Sequence, residues 1–289
     1  MNQIKLGNVT IDRIVESENA DIDPTYFFPD TTLADWAPHR AWLQPKAMDA
    51  QTGMLILPIQ SYLIRTDHHT ILIDCCVGDH KPRVREHWNM RSGGLFLKKL
   101  AELGVSPNQI DYVMCTHLHA DHVGWNTQYV NGQWVPTFVN AKYVISKKEW
   151  NYWEELQKEQ PQDHIVDSVL PVIENGQALL VDSDHSLDDQ IWLESTPGHT
   201  PHHVSIRLKS NDIESVFTGD VMHSPVQCAE PHWSVRPDDD PELARKTRRA
   251  FLERYCDSNV LVCTAHFASP SIGHIIHHLD AFRFQYIKP

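Results

Sequence analysis

Six consecutive residues, His117-Leu118-His119-Ala120-Asp121-His122, constrain this chain more than any other stretch. They place three imidazoles and a carboxylate directly after an apolar run, Ile110-Asp111-Tyr112-Val113-Met114-Cys115, that reads as a buried strand. In an extended backbone His117, His119 and Asp121 would project to one side, because strand side chains alternate with period two. His122 breaks the alternation, so the spacing predicts a turn there, with Gly124 supplying conformational freedom. Imidazole and carboxylate are the usual ligands of zinc-like ions. A single histidine at a strand end is ordinarily a hydrogen-bonded structural residue, and 19 histidines make some clustering expected. Neither accounts for His-x-His-x-Asp-His behind an apolar strand.

Length and composition bound the rest. With 289 residues, 41% hydrophobic and 22% charged, the chain can bury a large core and has ordinary globular composition. Its net charge of −13, from 25 basic and 38 acidic residues, argues against a nucleic-acid backbone or an anionic membrane as partner. The six cysteines form no C-x-x-C pair, so they read as buried reduced thiols rather than a thiolate metal site. The N-terminal residues lack the apolar core of a signal peptide, and no apolar stretch approaches a membrane span of ~20 residues; a cytoplasmic location is expected.

Along the chain, Ile4 to Val15 reads as an edge hairpin. Residues 20–50 carry Tyr26, Phe27, Phe28, Trp36 and Trp42 among four prolines and read as an irregular aromatic arm, a loop over the core, a lid or a dimer contact. Leu95, Phe96, Lys99 and Leu103 have helical spacing, closed by Gly104. Ser146 and Asp240 are placed to cap helices beginning at Lys147 and Pro241. No repeat or linker interrupts residues 1–289, so one domain is expected. Four segments then share one pattern, an apolar strand followed by a short turn and a metal-type ligand: Val113 to His117, Trp192 to His199, Val216 to Asp220, and Val260 to His266. Strand ends of open α/β sheets commonly gather ligands.

The full set, His-x-His-x-Asp-His with a distant His, then Gly-Asp, then a late His, resembles the metallo-β-lactamase superfamily from about Leu55 onward. The resemblance implies an α/β (α+β) fold, an αββα sandwich of two packed mixed β-sheets flanked by helices. It implies two divalent metal ions, zinc foremost, with manganese, cobalt or iron accepted by the same donors. His117, His119 and His199 would hold the first ion, Asp121, His122 and His266 the second, and Asp220 would bridge them. A hydroxide shared by two such ions can attack an activated carbonyl.

The bridging position carries Asp where the antibiotic-cleaving members have Cys or Ser, so the chain is more similar to the lactonase and methyl parathion hydrolase-like branch. The arm and the segment Ala265-His266-Phe267-Ala268-Ser269-Pro270 support that. The expectation is a hydrolase of a lactone or aryl or carboxylic ester. The rivals are phosphotriester cleavage by the same centre, an iron-dependent oxidoreductase such as a sulfur dioxygenase, and a non-catalytic protein with structural metals. His223 stands where many acyl-homoserine lactonases have Tyr, and as a catalytic residue beside Asp121 it could donate a hydrogen bond or a proton to the substrate, the alternative being a structural role. Asp74 could orient a ligand histidine. His202 and His203 read as solvated or supporting, Trp125 as pocket wall or core, and His274, His277 and His278 as surface or packing residues. The partners expected are a small ester or lactone, with a homodimer compatible with the aromatic arm.

Overall fold

A computed structural model describes residues 3–288. The elements in chain order begin with β1 (Ile4–Leu6), β2 (Val9–Ile22), α1 (Pro24–Phe27), α2 (Leu33–Leu43), β3 (Leu55–Arg65) and β4 (Thr70–Ile73). There follow α3 (Leu95–Glu102), β5 (Tyr112–Met114), α4 (Ala120–Val123), the hairpin β6 (Thr127–Val130) and β7 (Gln133–Pro136), β8 (Lys142–Ser146), α5 (Lys147–Glu159), α6 (Asp163–Ser168), α7 (Leu170–Glu174) and β9 (Ala178–Val181). The last part holds β10 (Ile191–Ser195), β11 (Val204–Ser210), β12 (Ile213–Phe217), α8 (Val226–Ala229), α9 (Pro241–Tyr255), β13 (Leu261–Cys263), β14 (Ile272–His278) and β15 (Ala281–Tyr286).

The chain divides into two compact units, and it passes from one to the other within β2 and β3. Residues up to 16 and 59–185 make up one. Its sheet runs β1-β2-β3-β4-β5-β8-β9, antiparallel in the β1–β2 and β3–β4 pairs and parallel from β4 through β9. Leu72, Val113, Tyr143 and Ile145 of its strands pack with Phe96 and Leu100 of α3 and Trp150 and Trp153 of α5 in one apolar core. The two tryptophans are thus core residues, as their spacing of three on a helix predicts.

Residues 17–58 and those from 186 onward make up the other unit. Its sheet runs β10-β11-β12-β13-β14-β15, antiparallel except for the β12–β13 pair. Phe251, Leu252 and Tyr255 of α9 bury against Val216, Val262 and Ile275 of that sheet. Asp240 caps α9 by accepting from the Leu243 N–H, with Pro241 at the first helical position, where a missing N–H costs nothing.

Residues 20–50 are more regular than expected. Asp23 accepts from the Thr25 and Tyr26 N–H groups and starts α1, and Thr32 with Asp35 forms a capping box that starts α2. Of the four prolines that suggested irregular chain, Pro24 starts α1 and Pro38 lies inside α2, while Pro29 and Pro45 fall in the turns after the two helices. Phe27, Phe28, Trp36, Trp233 and Val235 bury together in this unit. His274, His277 and His278 fall on strand β14. All six cysteines are free, and five are buried. Among the described residues no helix is long and apolar enough to cross a membrane.

Candidate metal centre

In the first unit, β5 delivers the histidine segment, and the backbone then departs from the extended form the sequence suggested. His119 is the N-cap of α4, so Asp121 and His122 lie on a helical turn rather than on an alternating strand. Gly124 is required for close approach rather than for freedom: its φ is −56°, and a Cβ there would lie 1.9 Å from the Val77 carbonyl oxygen. Its N–H donates to Cys76 O at 2.7 Å, and that of Trp125 to Cys75 O at 2.7 Å, which fixes the end of the turn. Trp125 is core, stacked on Phe96 and donating from Nε1 to Glu16.

Proton bookkeeping orients the rings. Asp74 accepts the Thr116 N–H at 2.8 Å and the Thr116 hydroxyl at 2.9 Å, and its Oδ2 lies 2.8 Å from His122 Nδ1. A carboxylate only accepts, so His122 Nδ1 carries the proton and Nε2 keeps its lone pair. With the Thr116 proton given to Asp74, His117 Nδ1, at 3.1 Å, is the donor to that hydroxyl. The His117 Nε2 lone pair then lies 3.0 Å from His119 Nδ1. Asp74 therefore holds the segment in the supporting role its position suggested. Its φ of 56° is left-handed, a region Asn tolerates nearly as well as Asp. Asp74→Asn should keep the fold while turning one acceptor into an NH2 facing a donor, and lower metal affinity by about 10–100-fold. Competition against a chelating dye measures this, and an unchanged dissociation constant would remove Asp74 from the account.

In the second unit, turns after β10, β12 and β13 bring His199, Asp220 and His266 together, with His223 one turn beyond Asp220. Gly198 precedes His199 with φ 134°, and a Cβ there would lie 2.3 Å from the Ala244 nitrogen of α9. Only glycine lets this turn seat on the helix. The Asp220 N–H donates to His203 Nε2 at 2.9 Å, and His203 Nδ1 pairs with Thr196 Oγ1 at 2.9 Å. His203 is thus fully buried and positions Asp220, a closer role than the sequence suggested.

The Asp220 carboxylate is buried among three rings. His199 Nε2 lies 3.1 Å from its Oδ2, His223 Nε2 3.0 Å from the same oxygen, and His266 Nε2 3.1 Å from Oδ1. The far sides of two rings are pinned by acceptors: His199 Nδ1 at 2.9 Å from Asp238 Oδ1, and His266 Nδ1 at 2.9 Å from the Pro58 carbonyl. Both Nδ1 atoms therefore carry protons, and the neutral rings turn Nε2 lone pairs toward a carboxylate. Such an arrangement repels itself unless positive charge lies within it, as a proton or as a metal ion. Without metal, burial lowers the His199 pKa, but Asp220 and Asp238 outweigh it and raise the value to about 9. Burial pushes His223 down to about 4 despite Asp220, so His223 is a neutral ring whose Nε2–H donates to Asp220. Ligand-capable atoms of Asp220, His223 and His266 lie within 4.8 Å of one another.

The donors that each unit contributes thus suit divalent metal ions, with imidazoles of fixed tautomer, buried carboxylate and outer acceptors. Sequence reading missed Asp238, which accepts from His199 and also from Val235 N–H and Arg248. It lies in an Asp238-Asp239-Asp240 run where only the helix cap at Asp240 gave a recognisable signal.

Comparison with known proteins adds the family. The model of the metallo-β-lactamase superfamily matches residues 56–266, a stretch that contains all seven candidate ligands. The chain belongs to the metallo-β-lactamase superfamily. An N-acyl homoserine lactonase of Bacillus cereus is 27% identical over 175 residues, covering 55% of this chain and 61% of that enzyme. The chain spans about three-fifths of the length of the curated lactonases it matches, 60% for a Bacillus sp. enzyme. Over 99% of this chain and 97% of the other, the structure resembles AidC, a dizinc quorum-quenching lactonase solved with a product, with TM-score 0.80 and 22% identity. Hydrolase AbOPH of the β-lactamase superfamily matches with TM-score 0.81 and 24% identity, at 99% and 97% coverage. These likenesses show the fold, and the two mixed sheets with their helices are those of this superfamily.

Proposed function

We propose that the chain is a metal-dependent hydrolase of lactones or related esters, acting as one catalytic domain with a dinuclear centre. His117, His119 and His199 would hold one ion, Asp121, His122 and His266 the other, and Asp220 both. The observation that carries this reading is the Asp220 carboxylate facing two buried Nε2 nitrogens at 3.1 Å, each ring locked from behind. The family match over residues 56–266 supports the ligand set, and the lactonase relatives support the substrate class, an N-acylated lactone first.

Two divalent ions in such a set would supply Lewis acidity and lower the pKa of bound water from 15.7 toward ≈7. The chain's own contribution is orientation. Asp74, Asp238 and the Pro58 carbonyl hold protons on the outer ring nitrogens, so the inner lone pairs keep one direction. His203 holds the backbone at Asp220. His223 keeps its Nε2 proton on Asp220, which makes it a reserve hydrogen-bond donor beside the reacting group rather than a charged acid.

Metal analysis should give about two zinc ions per chain, and chelation should stop turnover while the far-UV circular dichroism persists. A panel of N-acyl lactones, plain lactones, aryl esters and a phosphotriester should show highest kcat/KM on lactones. Iron content with oxygen consumption, or a chain that unfolds on chelation and turns over nothing, would overturn the reading.

A further inference from the structure

His117 and His119 hang on a short stretch of chain between a strand and a helix. β5 ends at Met114, and the Cys115 N–H still bonds the neighbouring strand, donating to Val144 O at 3.0 Å. His119 is already the N-cap of α4. In the stretch between, alternate N–H groups donate to buried carboxylates. Thr116 donates to Asp74 Oδ1 at 2.8 Å and Leu118 to Glu149 Oε1 at 3.3 Å. Asp74 follows β4 and Glu149 stands on the first turn of α5, so the stretch is gripped by side chains from two elements.

Glu149 is wholly buried. The order Ser146-Lys147-Lys148-Glu149 has the spelling of a capping box, yet Oε1 serves the interior. It accepts from the Leu118 N–H and, at 2.8 Å, from Trp153 Nε1 one turn further along α5. Taking a carboxylate out of water is costly, and the helix N-terminus and these two donors offset that cost. Packing alone would be served by an apolar residue of the same length. What the oxygen adds bears on the histidine pair. A peptide unit is planar, so tethering the Leu118 N–H restricts the backbone turn on which the angle between the His117 and His119 side chains depends. Those rings place His117 Nε2 and His119 Nδ1 3.0 Å apart. The second donor, Trp153, lays its ring against His119 edge to face, with centroids 5.6 Å apart at 79°. One oxygen thus holds both the peptide between the two imidazoles and the indole that backs the second.

We propose that Glu149 is a positioning residue of the metal centre, its Oε1 setting the angle between His117 and His119 through the Leu118 peptide. This rests on the ligand assignment of the hydrolase reading above. It makes the requirement one of reach, an acceptor at the end of a glutamate-length side chain, rather than one of charge.

The test titrates metal-free wild type, Glu149→Gln and Glu149→Asp with zinc against a chelating dye. Glutamine keeps an acceptor at the same reach and drops the charge; aspartate keeps the charge and withdraws the oxygen by a methylene. Glu149→Asp should weaken one zinc equivalent, that assigned to His117 and His119, by about 10–100-fold and leave the other within about threefold. Glu149→Gln should bind both within about threefold of wild type. The visible spectrum of the cobalt-loaded protein should follow the same order, altered by aspartate and restored by glutamine, which a glutamate serving the fold alone would not produce. The reverse order, glutamine weak and aspartate normal, would make Glu149 a charge acting through space and overturn the proposal. Equal effects in the two variants, or none in either, would overturn it as well. Should the aspartate variant fail to fold, amide exchange in the wild type decides: the Leu118 N–H should exchange as slowly as that of Thr116, and rapid exchange would remove the tether. A wild type that binds two zinc ions but cleaves no lactone or ester would sink the hydrolase reading and leave this proposal standing; one that binds no zinc would sink both.

Discussion

Asp220→Ala is expected to abolish measurable turnover and to bring metal content below one ion per chain. The carboxylate faces His199, His223 and His266 at 3.0–3.1 Å, and it is the anion that all three rings share. Removing it leaves three neutral imidazoles, which bind divalent ions without neutralising them. If metal is lost, water reverts from a pKa near ≈7 toward 15.7, and a fall of at least about 10³-fold in kcat/KM follows. Strand pairing should survive, because Asp220 lies beyond the end of β12 and its backbone, not its side chain, bonds His203. Asp220→Asn is the sharper variant: it keeps shape and hydrogen bonding but removes the charge, and should lose nearly as much. An Asn variant with two ions and wild-type kcat/KM would mean that Asp220 does not join the metals.

The element order was legible in the sequence wherever local chemistry and burial agree. Asp240 before Pro241 and an apolar 3.6-residue stripe announce α9; Gly104 announces the end of α3. The four strand-then-ligand segments were legible because each joins an apolar run to a residue type that the core would reject. Two misreadings have separate causes. Prolines at residues 24 and 38 suggested irregular chain, yet capping by Asp23, Thr32 and Asp35 wins over them, as side-chain oxygens replace the backbone acceptors that a helix start lacks. At His119 to His122 the strand alternation was carried too far. A two-residue period says nothing about where a strand stops, and here β5 ends at Met114.

The supporting residues were the least legible, and the reason is physical. A ligand histidine has a rare residue type and a spacing, but its outer acceptor can be any oxygen that folding brings near. His266 uses the carbonyl of Pro58, 208 residues away, and a backbone carbonyl leaves no mark in a sequence. His122 uses Asp74, which sits at a strand end and could be suspected. His199 uses Asp238, hidden in an acidic run that reads as helix capping.

Asp238→Ala should show how much stability depends on that hidden residue. Asp238 Oδ2 accepts from Val235 N–H at 3.1 Å and pairs at 3.4 Å with Arg248, a wholly buried guanidinium that also donates to the Val221, Pro231 and Trp233 carbonyls. An arginine cannot shed its proton, so removing the carboxylate paired with it among the described residues leaves a buried uncompensated charge and costs about 3–5 kcal/mol. For a chain of this size that lowers the thermal midpoint by on the order of 10 °C. The same change frees His199 Nδ1, and metal affinity should fall about 10–100-fold. In the metal-free protein a pH signature should follow as well. The His199 pKa is raised to about 9 from 6.5, so its contribution is complete below pH 6.5 and is lost as pH rises through 9. Asp238→Ala should flatten that dependence. Adding Arg248→Met separates the two roles: it removes the stranded charge and should recover part of the midpoint, while metal affinity stays low. A single variant that melts within about 2 °C of wild type and binds metal normally would show that neither His199 nor Arg248 relies on Asp238.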